Sequence, residues 1–150
     1  MNQIALDATH YSSIIDHARA SPTQEVCGLL GGLEERCLTV YPGKNIAPTP
    51  ECAFYMDPHT QLMAMRLMLE RGEELVGIYH SHPSSAARPS ARDLDCASYS
   101  SVAYLIVSLI DLKNPTLAAF RLDNNAFKPL QLAIEESAKT EHSSTICAHE

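Results

Sequence analysis

A short, strongly apolar run in the second half of the chain sets the first limit on its architecture. Residues 102–110 read VAYLIVSLI, and Ser108 is the single polar interruption. The run is about half as long as the ~20 apolar residues that a helix needs to cross a bilayer. Its length and its content of Val, Ile and Leu are typical of a buried β-strand. We therefore expect no membrane span and a buried strand at residues 102–109.

Length and composition predict one globular domain. The chain has 150 residues, of which 45% are hydrophobic and 19% are charged, so it can bury a sizeable core and is too apolar for intrinsic disorder. Eleven Lys and Arg against 18 Asp and Glu give a net charge of −7. This sign of charge repels phosphate backbones and anionic lipid surfaces. We expect neither nucleic acid nor a membrane as a partner.

Cysteine usage and the N-terminal residues indicate a cytoplasmic protein. The five cysteines are an odd number and form no C-x-x-C pair, which is typical of neither a disulfide scaffold nor a structural zinc site. Residues 1–20 contain no basic residue before Arg19 and no apolar core of the kind found in a signal peptide. A reducing cytoplasm is the expected location.

Two helices can be placed from their periodicity and their caps. The first has an apolar face around Ile14 and is expected to use Thr9 as its N-cap. The second is expected over residues 58–71, between an N-cap at Asp57 and a terminating glycine at Gly72.

The remaining pattern predicts a mixed α/β fold. On the second helix, Leu62, Met65 and Leu69 form the face expected to pack on the core. A third helix is expected at residues 90–98, and strands are expected at residues 26–33, 38–41, 75–79, 102–109, 117–122 and 127–132. Residues 1–134 are predicted to form one α/β domain, followed by a polar, flexible tail over residues 135–150.

The chemically informative stretch follows the strand at residues 75–79. It reads His80-Ser81-His82-Pro83, then six residues, then Ser90-Ala91-Arg92-Asp93. Side chains at i and i+2 of an extended chain point to the same side, so His80 and His82 aim both imidazoles at one point. Asp93, in the first turn of the third helix, can bring a carboxylate to that point. Two nitrogen ligands and one oxygen ligand leave a fourth tetrahedral position open, which indicates a catalytic zinc.

Glu25 is the candidate for moving protons at such a site. It begins an apolar strand, where a charge is unusual unless its side chain is used. A carboxylate beside the metal water acts as a general base. Ser90-x-x-Asp93 alone is also an ordinary helix capping box, and a lone histidine is usually structural, so the prediction depends on the joint pattern.

This combination resembles the signature of the JAMM (MPN+) zinc metalloproteases. Glu25, the His80-Ser81-His82-Pro83 run, Ser90 and Asp93 match that signature at each defined position. Similarity to the small prokaryotic branch extends to flanking residues, which are the glycine-rich run after Glu25, Asn45 with Pro48, and Phe54 followed by Asp57-Pro58. The resemblance implies a cytidine-deaminase-like mixed sheet packed between helices. It also implies Zn²⁺ bound by His80, His82 and Asp93, with Glu25 as general acid/base and Ser90 helping to stabilise the oxyanion.

The same resemblance implies hydrolysis of peptide or isopeptide bonds, often after the C-terminal Gly-Gly of ubiquitin or a ubiquitin-like protein. The short spacing between Glu25 and His80 leaves little room for the insertions with which eukaryotic deubiquitinases grip ubiquitin. The favoured partner is therefore a ubiquitin-like sulfur-carrier protein with a Gly-Gly tail. The alternatives are a deubiquitinase-like isopeptidase, and a RadC-like protein or MPN interaction module without peptidase activity.

Two thiols fall close to these residues in the pattern. Cys27 shares a strand face with Glu25, and Cys96 lies three residues after Asp93 on the third helix. The ligand set is complete without them, and a free cysteine is most often a small buried apolar residue, so neither is assigned a catalytic role.

Overall fold

The computed structural model describes residues 1–136, and its strands and helices follow one another in a single α/β domain. In chain order they are β1 (Gln3–Asp7), α1 (Ala8–Ala20), β2 (Cys27–Leu33), β3 (Arg36–Pro42), α2 (Pro58–Arg71), β4 (Glu74–His82), α3 (Ala91–Cys96), β5 (Ala103–Ser108), β6 (Thr116–Asp123) and β7 (Ala126–Glu135). No helix in this part of the chain combines the length and the apolarity that crossing a bilayer requires. Apart from Glu135 and Glu136, the predicted tail over residues 135–150 lies outside the described residues.

The seven strands of residues 1–136 form one mixed sheet that closes into a barrel. Their order is β1-β3-β2-β4-β5-β6-β7, and pairing of β1 with β7 completes the ring. Strand β1 runs parallel to both of its neighbours and β4 runs parallel to β5, while the other neighbours are antiparallel. The predicted mixed α/β class is confirmed. The sequence prediction lacks β1, because five residues directly before a helix carry too little periodicity to indicate a strand.

Strand β2 lies between two helices. Leu30 is fully buried in the main core cluster together with Ile14 of α1. Its neighbour Leu29 points to the other face of the sheet, where it packs with Met68 of α2. A helix therefore covers each face of the sheet at this strand, as predicted.

The helix caps follow local hydrogen-bonding chemistry. Asp57 caps α2 as predicted, and Gly72 ends that helix with a left-handed φ of 69°. For α1, the predicted N-cap at Thr9 is wrong. The cap is Asp7, whose Oδ1 accepts a hydrogen bond from the backbone N–H of His10 at 2.8 Å. The helix therefore begins at Ala8, before the predicted cap residue.

Helix α2 presents a different face to the sheet from the predicted one. Leu62 is 59% exposed and Leu69 is 82% exposed, so neither is a core residue, and Met65 is only half-buried. Ala64 and Met68 are buried instead. The prediction failed because α2 carries apolar residues on nearly all sides, and their spacing fits more than one face.

Strand β4 carries the histidine motif in the middle of the sheet. It is longer than the predicted 75–79, because ladder hydrogen bonds to β2 and β5 extend it over Glu74–His82. Cys27, the first residue of β2, lies directly opposite His80. The end of β4 therefore lies beside the start of β2, and Glu25 is two residues before that start.

Candidate metal centre

Four side chains converge where β4 ends. Glu25 before β2, His80 and His82 on β4, and Asp93 on α3 offer ligand atoms that all lie within 4.8 Å of one another. The first three are buried, with exposed fractions of 6%, 4% and 5%. These are the residues that the motif selected, so pairing of β2 with β4 brings the distant glutamate to the local histidine and aspartate cluster.

The separations between these atoms fit a bound metal ion. Nε2 of His80 lies 3.1 Å from Nε2 of His82 and 3.1 Å from Oδ1 of Asp93, and Nε2 of His82 lies 3.2 Å from Oδ2 of Asp93. Ligand atoms about 2.0–2.1 Å from a tetrahedral zinc are about 3.3 Å from one another. Two imidazoles and one carboxylate are also ligand types that zinc accepts in catalytic sites. The residues present therefore fit a metal site.

His82 is held in the tautomer that a metal ligand needs. Its Nδ1 lies 2.8 Å from the carbonyl oxygen of Ala86. Because a carbonyl can only accept, Nδ1 donates, and in the neutral ring Nε2 keeps its lone pair. The loop after β4 thus fixes the ring in an orientation suited to coordination.

Asp93 is oriented by the capping box at the start of α3. The hydroxyl oxygen of Ser90 accepts from the N–H of Asp93 at 3.1 Å, and Oδ2 of Asp93 accepts from the N–H of Ser90 at 2.8 Å. The same Oδ2 atom lies against His82, so one carboxylate completes both the helix cap and the histidine cluster. The capping-box and ligand interpretations of Ser90-x-x-Asp93 are compatible.

Burial, hydrogen bonds and charges shift the pKa values of the four clustered residues in different directions. Burial raises the pKa of Glu25 to about 7, and the charge of His82 opposes this shift only in part. Burial lowers the pKa of His80, which keeps that ring neutral. Burial would raise the pKa of Asp93, but hydrogen bonds from both imidazoles outweigh it and hold that pKa well below its usual range. The arrangement therefore favours an ionised Asp93 and a Glu25 that exchanges protons near neutrality.

A cleft with a volume of about 390 Å³ opens beside the cluster. His80 and Asp93 are among its lining residues, and most of its wall is apolar. Five aromatic side chains contribute to this wall, which are Phe54, Tyr55, Tyr99, Tyr104 and Phe127. The cleft therefore joins an aromatic wall to two of the converging ligands, His80 and Asp93.

The aromatic wall is a part of the site that the sequence prediction did not assign. Phe54 stacks on the imidazole of His80, with ring centroids 4.6 Å apart and 27° between the ring planes. In the sequence, Phe54 is significant only as one of the flanking residues that resemble the family. Because the wall comes from separate loops and strands, no local spacing could have identified it.

The two thiols noted in the sequence occupy different environments. Cys27 is fully buried opposite His80, and burial raises its pKa to about 12, with a further contribution from the charge of Glu25. Cys96 is exposed and lines the cleft that also contains Asp93. Cys27 is therefore kept as a neutral thiol behind the site, whereas Cys96 faces the cleft.

Comparison with known proteins defines the class to which the chain belongs. The family described as prokaryotic homologs of the JAB domain matches residues 7–123. The chain is a member of this family, the prokaryotic branch of the JAMM proteins that the motif resembles.

Relatives and a solved structure agree with this assignment. Desampylase from Haloferax volcanii is 34% identical over 140 residues, which cover 89% of this chain and 98% of that protein. CysO-cysteine peptidase from Mycobacterium tuberculosis is 32% identical over 126 residues, which cover 82% of this chain and 85% of that protein. A solution structure of a protein from Desulfitobacterium hafniense has a TM-score of 0.82 at 32% identity, covering 99% of this chain and 100% of that one. The chain is accordingly a hydrolase of the JAMM metalloprotease type.

Proposed function

We propose that this hydrolase is a zinc-dependent peptidase or isopeptidase that cleaves after the C-terminal Gly-Gly of a ubiquitin-like protein, in particular a sulfur carrier. The observation that carries the proposal is the convergence of two imidazoles, one carboxylate and the buried Glu25 beside a cleft. The substrate class is supported by the relatives, since one is named a desampylase and another a CysO-cysteine peptidase.

In this proposal His80, His82 and Asp93 hold the zinc ion. Zinc, when bound, lowers the pKa of a water ligand to about 7 and polarises a carbonyl oxygen. The chain supplies the orientation: the carbonyl of Ala86 fixes the ring of His82, and the backbone of Ser90 fixes the carboxylate of Asp93.

Glu25 moves the proton during hydrolysis. A water oxygen forms a bond to the carbonyl carbon of the substrate, and the bond from that carbon to the leaving nitrogen breaks. Glu25 accepts a proton from the attacking water and delivers it to the leaving nitrogen, so its carboxylate is regenerated at the end of the cycle. Burial raises the pKa of Glu25 above its ordinary value, which makes its carboxylate a better proton acceptor.

Ser90 has a second role beyond capping α3. Its hydroxyl oxygen accepts from the N–H of Asp93, and that bond does not use the hydroxyl proton. The proton can be donated to the oxygen that gains negative charge as the carbonyl carbon is attacked. A preorganised donor of this kind stabilises the transition state more than the substrate.

The tail of the substrate lies in the cleft, with its last glycine next to His80. Two glycines add no side chains, so the backbone can approach the cluster without displacing the aromatic wall. A bulky residue in place of the last glycine would collide with the residues that surround the ligands.

The decisive experiment offers the zinc-loaded enzyme small ubiquitin-like carriers extended by a few residues after Gly-Gly, with ubiquitin fusions in parallel. Intact mass spectrometry of the products identifies the cleaved bond. We expect cleavage directly after Gly-Gly in the carriers and a strong loss when the last glycine is replaced by valine. A Glu25→Gln enzyme serves as the control for cleavage by contaminating proteases.

The other outcomes discriminate between the alternatives. Cleavage of ubiquitin fusions alone would move the protein to a deubiquitinase-like isopeptidase. Cleavage of neither substrate by an enzyme with stoichiometric zinc would contradict the proposal and favour a RadC-like protein or an MPN interaction module.

We also propose three properties of the whole chain. The fold is cytidine-deaminase-like, in keeping with a mixed sheet covered by helices. The catalytic domain is the predicted residues 1–134 together with Glu135, which the structure places at the end of β7, and the residues after it form a tail. The location is the cytoplasm, which the odd number of cysteines without a C-x-x-C pair supports.

A further inference from the structure

The side chain of Asn45 uses all of its hydrogen-bonding positions at the edge of the metal centre. Its Nδ2 donates to the carbonyl oxygens of Glu25 at 2.8 Å and Ala53 at 3.0 Å. Its Oδ1 accepts from the backbone N–H groups of Ala47 at 2.9 Å and Tyr55 at 3.0 Å. A primary amide has two N–H donors and an oxygen with two acceptor positions, so this side chain is saturated. Carbonyls only accept and backbone N–H groups only donate, which fixes the orientation of the amide.

One of these four contacts involves the main chain of Glu25. The regular strand begins at Cys27, so Glu25 lies outside the sheet ladder. Its N–H donates to the carbonyl oxygen of Pro50 at 2.7 Å, and its carbonyl oxygen accepts from Asn45. Both backbone polar groups of Glu25 are therefore bound to the connection between β3 and α2.

Two of the other three contacts involve the aromatic wall. Asn45 binds the carbonyl of Ala53 and the N–H of Tyr55, which are the two neighbours of Phe54 in the chain. Phe54 in turn stacks on His80 at a centroid distance of 4.6 Å. Fixing the backbone on both sides of Phe54 keeps its ring against the imidazole and limits rotation of that imidazole away from Asp93.

We propose that Asn45 is a positioning residue of the hydrolytic site, which holds Glu25 through its main chain and His80 through Phe54. The inference rests on the proposed function, because it takes Glu25 as the proton carrier. Asn45 itself touches neither the converging ligand atoms nor the proposed substrate position, so it acts through these neighbours. Residues that do not bind the metal but orient its ligands typically affect metal affinity or activity by about 10–100-fold.

Two variants separate the contacts. Asn45→Asp keeps the shape and the oxygen that accepts from Ala47 and Tyr55, but it removes both N–H donors and so releases the carbonyl oxygens of Glu25 and Ala53. Asn45→Ala removes all of the contacts. With zinc-loaded enzyme and an extended carrier, we expect kcat to fall by about tenfold or more in both variants. We expect KM to rise in Asn45→Ala, where the wall also loosens, and to change little in Asn45→Asp.

A second measurement does not depend on activity. NMR of the zinc-loaded protein reports the ring-proton shifts of His80, which the stacked ring of Phe54 moves upfield, and the amide hydrogen exchange of Ala47 and Tyr55. Asn45→Ala should shift the His80 signals downfield and accelerate both exchange rates. Asn45→Asp should leave these two amides protected.

The control for a general loss of stability is Thr39→Val. Thr39 lies on β3 and donates to the carboxylate of Glu73 at 2.6 Å, opposite Gly31 and therefore away from the end of the sheet that carries His80. This variant removes a side-chain hydrogen bond at the far end of the same strands, and we expect wild-type kcat and wild-type His80 shifts.

The possible results separate this inference from the proposed function. Wild-type kcat and KM in both Asn45 variants would overturn the role of Asn45. A decrease in kcat of the same size in Thr39→Val would overturn it as well. If the wild-type enzyme cleaves no carrier, the proposed function fails, and unchanged His80 shifts in Asn45→Ala would then overturn the positioning role as well. Should Asn45→Ala not fold, the kcat of Asn45→Asp decides, since it keeps the oxygen that accepts from the N–H groups of Ala47 and Tyr55.

Discussion

The Nε2 atoms of His80 and His82 lie 3.1 Å apart, with the two carboxylate oxygens of Asp93 at 3.1 and 3.2 Å from them. The lone pairs of these four atoms repel one another in a buried site unless a proton or a cation lies between them. We therefore predict about one zinc per chain, measured by elemental analysis of protein made without a metal-affinity tag. Asp93→Ala should weaken zinc binding by more than about 100-fold in chelator competition, since even residues outside the ligand set cost 10–100-fold.

The matched control for metal binding is His59→Ala. His59 is an exposed histidine at the start of α2 and does not belong to the converging ligand set. It should retain the full zinc content. Equal zinc in His80→Ala, Asp93→Ala and the wild type would contradict the assignment of the site.

The second prediction separates metal binding from catalysis. Glu25→Gln should keep stoichiometric zinc and the wild-type fold, because the three proposed ligands are untouched. It should lower kcat by about 10²–10⁴-fold, since an amide cannot accept the proton from water. Zinc content and single-turnover rates are measured on the same sample, with the exposed Glu70→Gln as the control. Full activity in Glu25→Gln would assign the proton transfer to another group.

The third prediction distinguishes the two roles of Ser90. Ser90→Ala loses both the helix cap and the proposed oxyanion donor, so stability should fall by about 1 kcal/mol and kcat should fall as well. Ser90→Asn retains an N-cap acceptor but lacks the hydroxyl. We expect near wild-type urea unfolding and reduced kcat in Ser90→Asn. Wild-type kcat in that variant would restrict Ser90 to capping.

The local part of the site could be predicted because its geometry is contained in short spacings. His80 and His82 share a strand face by the two-residue period, and Ser90 with Asp93 forms a capping box. Glu25 is different, because only the pairing of Cys27 with His80 brings it to the cluster. An unusual charge at the start of an apolar strand made Glu25 a candidate, and the family resemblance supported it, but no local rule specifies which strands pair.

The parts of the fold that could not be predicted depend on contacts distant in the sequence. Strand β1 forms because it pairs with β7, which lies at the opposite end of the sequence, with Ile4 opposite Leu132. Helix α2 buries Met68 rather than Leu69 because of where β2 lies, and not because of its own periodicity. In both cases the local pattern allows several arrangements and tertiary packing selects one.

The fourth prediction concerns acid sensitivity. Nδ1 of His17 lies 2.7 Å from the hydroxyl of the fully buried Tyr79, and burial lowers the pKa of His17 below its ordinary value of 6.5. The unfolded chain then binds a proton more readily than the folded one, so this contribution to stability is present above about pH 6.5 and is lost as the pH falls further. The free energy of unfolding of the zinc-free protein is measured in urea at pH 7.5 and 5.5. It should fall more between these two pH values in the wild type than in His17→Gln. Equal losses would contradict a depressed pKa at His17.

The fifth prediction tests the packing between β2 and β4 directly behind the site. Gly28 lies opposite Tyr79, and a Cβ on Gly28 would come within 2.3 Å of the ring carbons of that tyrosine. Because Tyr79 is fully buried, its ring has no room to move away, and Gly28→Ala should lower the free energy of unfolding by about 1–3 kcal/mol. Tyr79→Leu removes the colliding ring, so the Gly28→Ala/Tyr79→Leu double variant should be more stable than the sum of the single losses implies. Strict additivity in urea unfolding would mean that the ring is not what excludes a side chain at position 28.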